Sequence, residues 1–75
     1  MPKRPDRLRR RYTNLDWPLV VLRFEDGHEI LVPRGVGKTF DAWSGETIRI
    51  VVEWDPTSGE RELIESRRAD AFDEG

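Results

Sequence analysis

Six cations fall within the first eleven residues: Lys3, Arg4, Arg7, Arg9, Arg10 and Arg11, against the single acid Asp6. Arginine at this density suits binding better than catalysis. A guanidinium donates to two oxygens at once and matches phosphate as well as carboxylate. Tyr12 and Trp17 border the run, and aromatic rings beside such cations are surfaces on which nucleobases stack. The run points to nucleic acid or a nucleoprotein, with an acidic protein face as the competing partner.

Other candidate groups carry less. Pro33-Arg34-Gly35-Val36-Gly37-Lys38-Thr39 ends like a phosphate-cradling loop. Such a loop needs a glycine five places before the Gly-Lys pair, where this chain has Val32, and it needs a helix to follow. Asp41, Trp43, Ser44 and Gly45 follow instead, so the segment reads as a glycine-rich connector with at most a weak anion contact at Lys38. His28 is the only histidine and sits beside a turn. Relays and metal sites need several convergent groups. The carboxylates are scattered over strand edges and turns, with no pair set in an apolar pocket for acid–base work. The expectation is a protein that is not an enzyme and takes no cofactor or metal.

Composition bounds the rest. The 75 residues are 37% charged and 36% apolar, and the net charge of −2 divides into +5 on residues 1–11 and −7 on the remainder. The acidic body would repel nucleic acid unless it faces away. The length excludes a nucleotide-hydrolysing α/β domain or a TIM barrel. Without cysteine there is no disulfide framework and no thiolate zinc site. No apolar run approaches a membrane span, and residues 1–16 lack a signal-peptide core, so a cytoplasmic location without membrane contact is expected.

The elements that would position these groups divide the chain into a basic arm (1–16), a β domain (17–66) and an acidic tail (67–75). In the arm a helix competes with disorder: Asp6 can cap it, and Leu8, Tyr12 and Leu15 share one helical face. Trp17-Pro18 ends whatever precedes it. Residues 19–33 predict a hairpin. A three-residue loop, Glu25-Asp26-Gly27 with Gly27 left-handed, opposes Phe24 to His28, Leu22 to Ile30 and Val20 to Val32, and sets Arg23 across from Glu29. That register collects the apolar residues on one face.

Residues 34–46 read as a loop carrying Phe40 and Trp43. Residues 47–66 predict a second hairpin, with Ile48, Ile50, Val52 and Trp54 on one face and Thr47, Arg49, Val51 and Glu53 on the other. Its turn runs through Asp55, Pro56 and Gly59, where Pro56 presets φ and Gly59 suits a left-handed position. Pairing Asp55 with Glu60 places Val52 opposite Leu63 and Val51 opposite Ile64. A helix capped at Thr57 is the rival, weakened by Gly59 in its first turn. Phe72 would anchor a helical turn in the tail. The expected core is Val20, Leu22, Phe24, Ile30, Val32, Ile48, Ile50, Val52 and Leu63, with Trp43 or Trp54 capping one end. Phe40 suffices as a plug from its loop, which leaves Trp43 either in the core or facing a ligand.

Two hairpins joined by a tryptophan-bearing loop resemble small SH3-like barrels. Residues 43–55, Trp-Ser-Gly-Glu-Thr-Ile-Arg-Ile-Val-Val-Glu-Trp-Asp, are similar to the central stretch of the small archaeal chromatin proteins, over roughly residues 19–72 with a gap near Ser44. The resemblance implies a mainly-β barrel whose tryptophan and outer sheet face sit in the DNA minor groove, so that Trp43, Thr47, Arg49 and Val51 would face DNA. That family is lysine-rich with a basic sheet, whereas this body is acidic and Glu53 falls on the same face. Sm-like barrels fit the outline as well. Arm and resemblance together nominate Lys3, Arg4, Arg7, Arg9, Arg10, Arg11, Tyr12, Trp43 and Arg49 as nucleic-acid-binding residues. The alternative function is a regulatory subunit or inhibitor that binds a protein, or a second copy of itself, through exposed aromatics and a strand edge.

Overall fold

Alternation organises the first element. Leu8, Arg10, Tyr12 and Asn14 turn inward while Arg7, Arg9, Arg11 and Thr13 turn out, and the chain follows this two-residue period as strand β1 (Arg7–Asn14). The structure, a computed structural model, describes residues 6–55 and 57–75. After β1 come β2 (Leu19–Arg23), β3 (Glu29–Pro33), β4 (Val36–Trp43), β5 (Thr47–Glu53) and β6 (Glu62–Arg68), then a 3-10 turn (Ala69–Ala71) and the short β7 (Asp73–Glu74). They form two antiparallel sheets, β4-β1-β7 and β3-β2-β5-β6, which are hydrogen-bonded separately and do not close into one barrel. The fold is mainly β.

The helix considered for the arm is not formed. Leu8 and Tyr12 are four apart, a spacing that a helical face and a strand face share, and β4 supplies partners for the whole of β1, from Arg7↔Trp43 to Asn14↔Val36. Residues 34–46 are likewise not simply a loop. Phe40 and Ala42 point inward from β4 and are buried, between outward Thr39, Asp41 and Trp43. Gly37 leaves room for its neighbours: a Cβ there would meet the Arg11 guanidinium at 2.8 Å and the Thr13 hydroxyl at 2.9 Å and displace them.

The β2–β3 hairpin follows its expected register, with Val20↔Val32 and Leu22↔Ile30. Gly27 has φ +94°, a conformation that side chains other than glycine's rarely tolerate. Phe24 N–H donates to the His28 carbonyl at 3.0 Å, and the two rings stack at 4.2 Å. Arg23 pairs with Glu29 at 2.6 Å.

The β5–β6 hairpin corrects two expectations. Thr47 to Ile50 keep the register set by pairing Asp55 with Glu60, so that Ile50 opposes Glu65. The ladder then slips by one at a bulge, and Val51 opposes Leu63 while Val52 opposes Glu62. The unpaired extra residue is Ile64. Leu63 therefore leaves the core for the outer face, where it is 53% exposed. Glu65 and Arg67 take inward positions on this edge strand and pair with each other, a device that discourages edge-to-edge association. Pro56 lies outside the described residues.

Between the sheets lie Val20, Leu22, Phe24, Val32, Ile48, Ile50 and Val52 from one and Phe40 and Ala42 from the other, with Ala69 and Phe72 from the tail. Ile30 and Trp17 pack at the margin, partly buried. Phe24, Phe40, Phe72 and Tyr12 meet edge to face in a chain at 5.4, 5.3 and 6.1 Å. Neither Trp43 nor Trp54 caps the core; they are 48% and 63% exposed.

The outer face of the four-stranded sheet also carries an apolar row, Leu31–Val21–Val51–Leu63. Val21 and Val51 are only 0% and 3% exposed. Arg61 reaches Glu53 on β5 and Glu29 on β3, each at 3.4 Å. In the register the line between those acids passes over Val21, so the ion pairs span the middle of the row and leave its ends, Leu31 and Leu63, exposed.

Asn14 is the one buried polar side chain among the described residues. Its Nδ2 donates to the Val32 and Trp17 carbonyls, both at 2.9 Å, and its Oδ1 accepts from Trp17 N–H at 3.0 Å. Asn14→Ala strands these partners and should cost about 2–4 kcal/mol, lowering the melting temperature by more than about 10 °C in a domain of this size. Leu15→Ala, one residue on and 71% exposed, should stay within about 0.5 kcal/mol. Thermal unfolding of the two variants side by side measures the difference.

Candidate nucleic-acid interface

Because β1 alternates, it presents Arg7, Arg9 and Arg11 on one exposed face, about 6.7 Å apart. Opposite them on β4 stand Trp43, Asp41 and Thr39. The Arg7 guanidinium lies 4.6 Å from the centroid of the Trp43 ring, a cation–π contact. Arg9 donates to the Thr39 hydroxyl at 3.3 Å and stands 3.7 Å from Asp41. Arg11 lies over Gly37, while Asp73 of β7 opposes it from the other side. Among the described residues Arg7 and Arg11 form no ion pair.

The nominated residues separate into three groups. Arg7, Arg9, Arg11 and Trp43 come together. Arg10 and Tyr12 point to the inner side of the same strand: Arg10 Nε is buried without a partner, and Tyr12 meets Phe72, where burial pushes its phenol pKa up. Arg49 sits on the outer face of the other sheet, directly opposite Arg23. Of the positions carried over from the chromatin-protein resemblance, Thr47 and Arg49 share that second face, Val51 is covered there, and Trp43 lies on the first sheet. Lys3 and Arg4 lie outside the described residues.

One groove adjoins the arginine face and a second lies beyond it, on the four-stranded sheet. The first, of about 520 Å³, is lined by Arg7, Asp41, Trp43 and the turn residues Phe24, Asp26 and His28. The other, of about 460 Å³, is lined by Arg23, Glu29, Thr47 and Arg49, and the two share Phe24 and Glu25. Sequence reasoning missed the first groove, because the β2–β3 and β4–β5 turns that wall it are brought together only by the fold.

Carboxylates fasten this corner. Glu46 accepts from Trp43 N–H at 3.0 Å and Glu25 N–H at 3.3 Å, and Glu25 accepts from Thr47 N–H at 2.9 Å. Asp70 accepts from Gly45 N–H at 2.6 Å and the Ser44 hydroxyl at 2.9 Å, and these donors hold its pKa below the ordinary aspartate value. Asp26 accepts from His28 N–H at 3.0 Å and meets its Nδ1 at 2.6 Å, which lowers its pKa in the same way. Among the described residues no cluster of three His, Cys, Asp or Glu could hold a metal ion, and no helix is long and apolar enough to cross a membrane.

Comparison with protein-family models, curated proteins and solved structures gives no match to this chain. The geometry therefore carries the functional argument alone.

A carboxylate whose folded pKa is depressed stabilises the fold above its unfolded pKa and loses that contribution as pH falls through the folded value. Asp70→Ala should lower the melting temperature at pH 7. The gap to the native chain should narrow as pH falls below the ordinary aspartate value of 3.8, because the unfolded chain takes up a proton there that folded Asp70 accepts only at lower pH. A gap that stays constant from pH 7 to pH 3 would show that charge at Asp70 is not what holds the Ser44–Gly45 turn.

Proposed function

We propose that the chain is a small non-enzymatic binding module that engages nucleic acid, alone or within a nucleoprotein machine, through the outer face of β1. The observation that carries this reading is the exposed row Arg7–Arg9–Arg11 with Trp43 at its end. The interval between these arginines is close to that between neighbouring phosphates of one strand. Glu25, Glu46 and Asp70 are fixed on turn amides beside the row, and Asp41 is the carboxylate that stands among the arginines, opposite Arg9. The same reading takes the two sheets as an opened relative of the SH3-like barrels, with the Sm-like barrel as its alternative, and places the protein in the cytoplasm.

A second reading is favoured by a different surface. Leu31, Leu63 and Ile64 are exposed on or beside the outer face of the four-stranded sheet, with Trp54 exposed at the end of β5. Exposed aromatic and aliphatic groups beside a strand edge suit a protein partner or a second copy, and this reading makes the chain a regulatory subunit or inhibitor. Co-purification with and without nuclease separates the two: partners lost on nuclease treatment support nucleic acid, and a nuclease-resistant protein partner supports the second.

Leu8 and Tyr12 of β1 pack against the core, so substitution tests the arginine row where truncation would damage the fold. Replacing Arg7, Arg9 and Arg11 together with alanine should reduce the slope of log K against log salt by about 2–3, at ~0.7–0.9 per phosphate contact. Trp43→Ala should weaken binding by more than about tenfold, roughly 1.4 kcal/mol, with little change in melting temperature because the ring is half in water. An unchanged salt slope in the triple variant, or a large stability loss at Trp43, would defeat the assignment.

A further inference from the structure

The groove beside Trp43 ends the arginine row in a place shaped for something other than phosphate. It is lined by the indole, by the Arg7 guanidinium lying over that ring, and by His28, itself stacked on Phe24. These are flat groups of the kind on which a base stacks. Its volume of about 520 Å³ leaves ample room for one base. It also holds four carboxylates, which repel phosphate and accept only from donors.

Three of the four are engaged. Asp26 is taken by His28, Glu25 by Thr47 N–H, and Glu46 by Trp43 N–H and Glu25 N–H. Asp41 accepts no hydrogen bond among the described residues; its partner is Arg9, in a long, exposed ion pair at 3.7 Å. Asp41 lies two residues before Trp43 on the same strand face, about 6.7 Å along β4. That separation suits a base stacked on the Arg7 guanidinium, which itself lies over the indole, with its edge turned to the carboxylate.

Resting on the nucleic-acid reading above, we propose that this groove is a base pocket for an unpaired guanine in a single strand. Guanine alone among the common bases places two donors, N1–H and the N2 amine, side by side on one edge, and a carboxylate accepts both at once. Adenine and cytosine each set an acceptor beside their amine, and that acceptor would face Asp41 repulsively. Thymine and uracil flank their one donor with two acceptors. The edge concerned is the Watson–Crick edge, which a protein reaches only where the base is unpaired. Arg7, Arg9 and Arg11 hold the backbone leading to the pocket.

The test is titration of the full chain with nine-nucleotide single-stranded thymidine oligonucleotides carrying guanine, hypoxanthine, adenine or cytosine at the centre. The guanine strand should bind at least about fivefold tighter than the adenine and cytosine strands. Hypoxanthine, which keeps N1–H and lacks the N2 amine, should fall between them. Asp41→Asn should bring the guanine strand down to the adenine level, with the melting temperature recorded alongside to confirm folding. Equal binding of the four strands by the native chain, or a guanine preference that survives Asp41→Asn, overturns the pocket and leaves the arginine row standing. Failure of the native chain to bind any of these strands overturns the pocket; binding of the matching duplex in the same titration then leaves the arginine row standing, and failure there too overturns both readings.

Discussion

The fold turns on one buried amide. Asn14 stands where the chain leaves the β4-β1-β7 sheet, and its side chain ties that point to Trp17 in the crossing and to Val32 at the end of β3. Its own carbonyl accepts from Gly35 N–H at 2.6 Å, in the second crossing between the sheets. The first two of the chain's four crossings between the sheets are therefore fastened at one residue. Out of reach of water, each of these polar groups must find a protein partner, so the amide tolerates only one arrangement of the three segments. The pairing Asn14↔Val36 then fixes the register of β1 on β4. That register decides that Phe40 and Ala42 face inward and that Arg7, Arg9 and Arg11 face solvent.

Charge is sorted by task. Carboxylates near the β4–β5 connection accept backbone N–H groups that the turns leave without ladder partners: Glu25, Glu46 and Asp70 act as fasteners. Exposed groups of this kind gain little from simple pairing but hold a loop in one shape when they satisfy amides. On the four-stranded sheet Arg23, Glu29, Arg61 and Glu53 form a lattice across the outer face, where Val21 and Val51 are buried. A chain with so few large apolar residues thus protects part of a second sheet face without a third layer. The basic strand belongs to the fold for a related reason: one side of β1 packs with Leu8 and Tyr12, and only the other is left to the solvent arginines.

Much of this was readable from residues alone where the governing interactions are local. The β2–β3 hairpin, its three-residue loop, the left-handed Gly27 and the Phe24–His28 and Arg23–Glu29 pairs all follow from turn chemistry and directly opposed side chains within fifteen residues. The inward set of β5, the left-handed Gly59 and the burial of Phe40 and Phe72 were equally legible. Each rests on a period of two or on a backbone angle that one residue imposes.

Tertiary structure decided what depends on partners distant in sequence. Leu8 and Tyr12 satisfy a helical face as well as a strand face, and only β4, some thirty residues on, resolves the choice. Gly37 and Lys38 look like loop composition until Arg11 fills the space above the glycine. The slip at Ile64 moved Leu63 to the surface because a bulge relieves a ladder whose turn alone does not settle its length. The groove beside Trp43 exists because two turns remote in sequence are fastened to each other by Glu25 and Glu46. Sequence thus determined the strands of the two hairpins and most of what they bury, and left β1 and β4 open. Packing between the sheets determined which face of each remaining segment meets water, because a strand chooses its face only when a partner fixes its register.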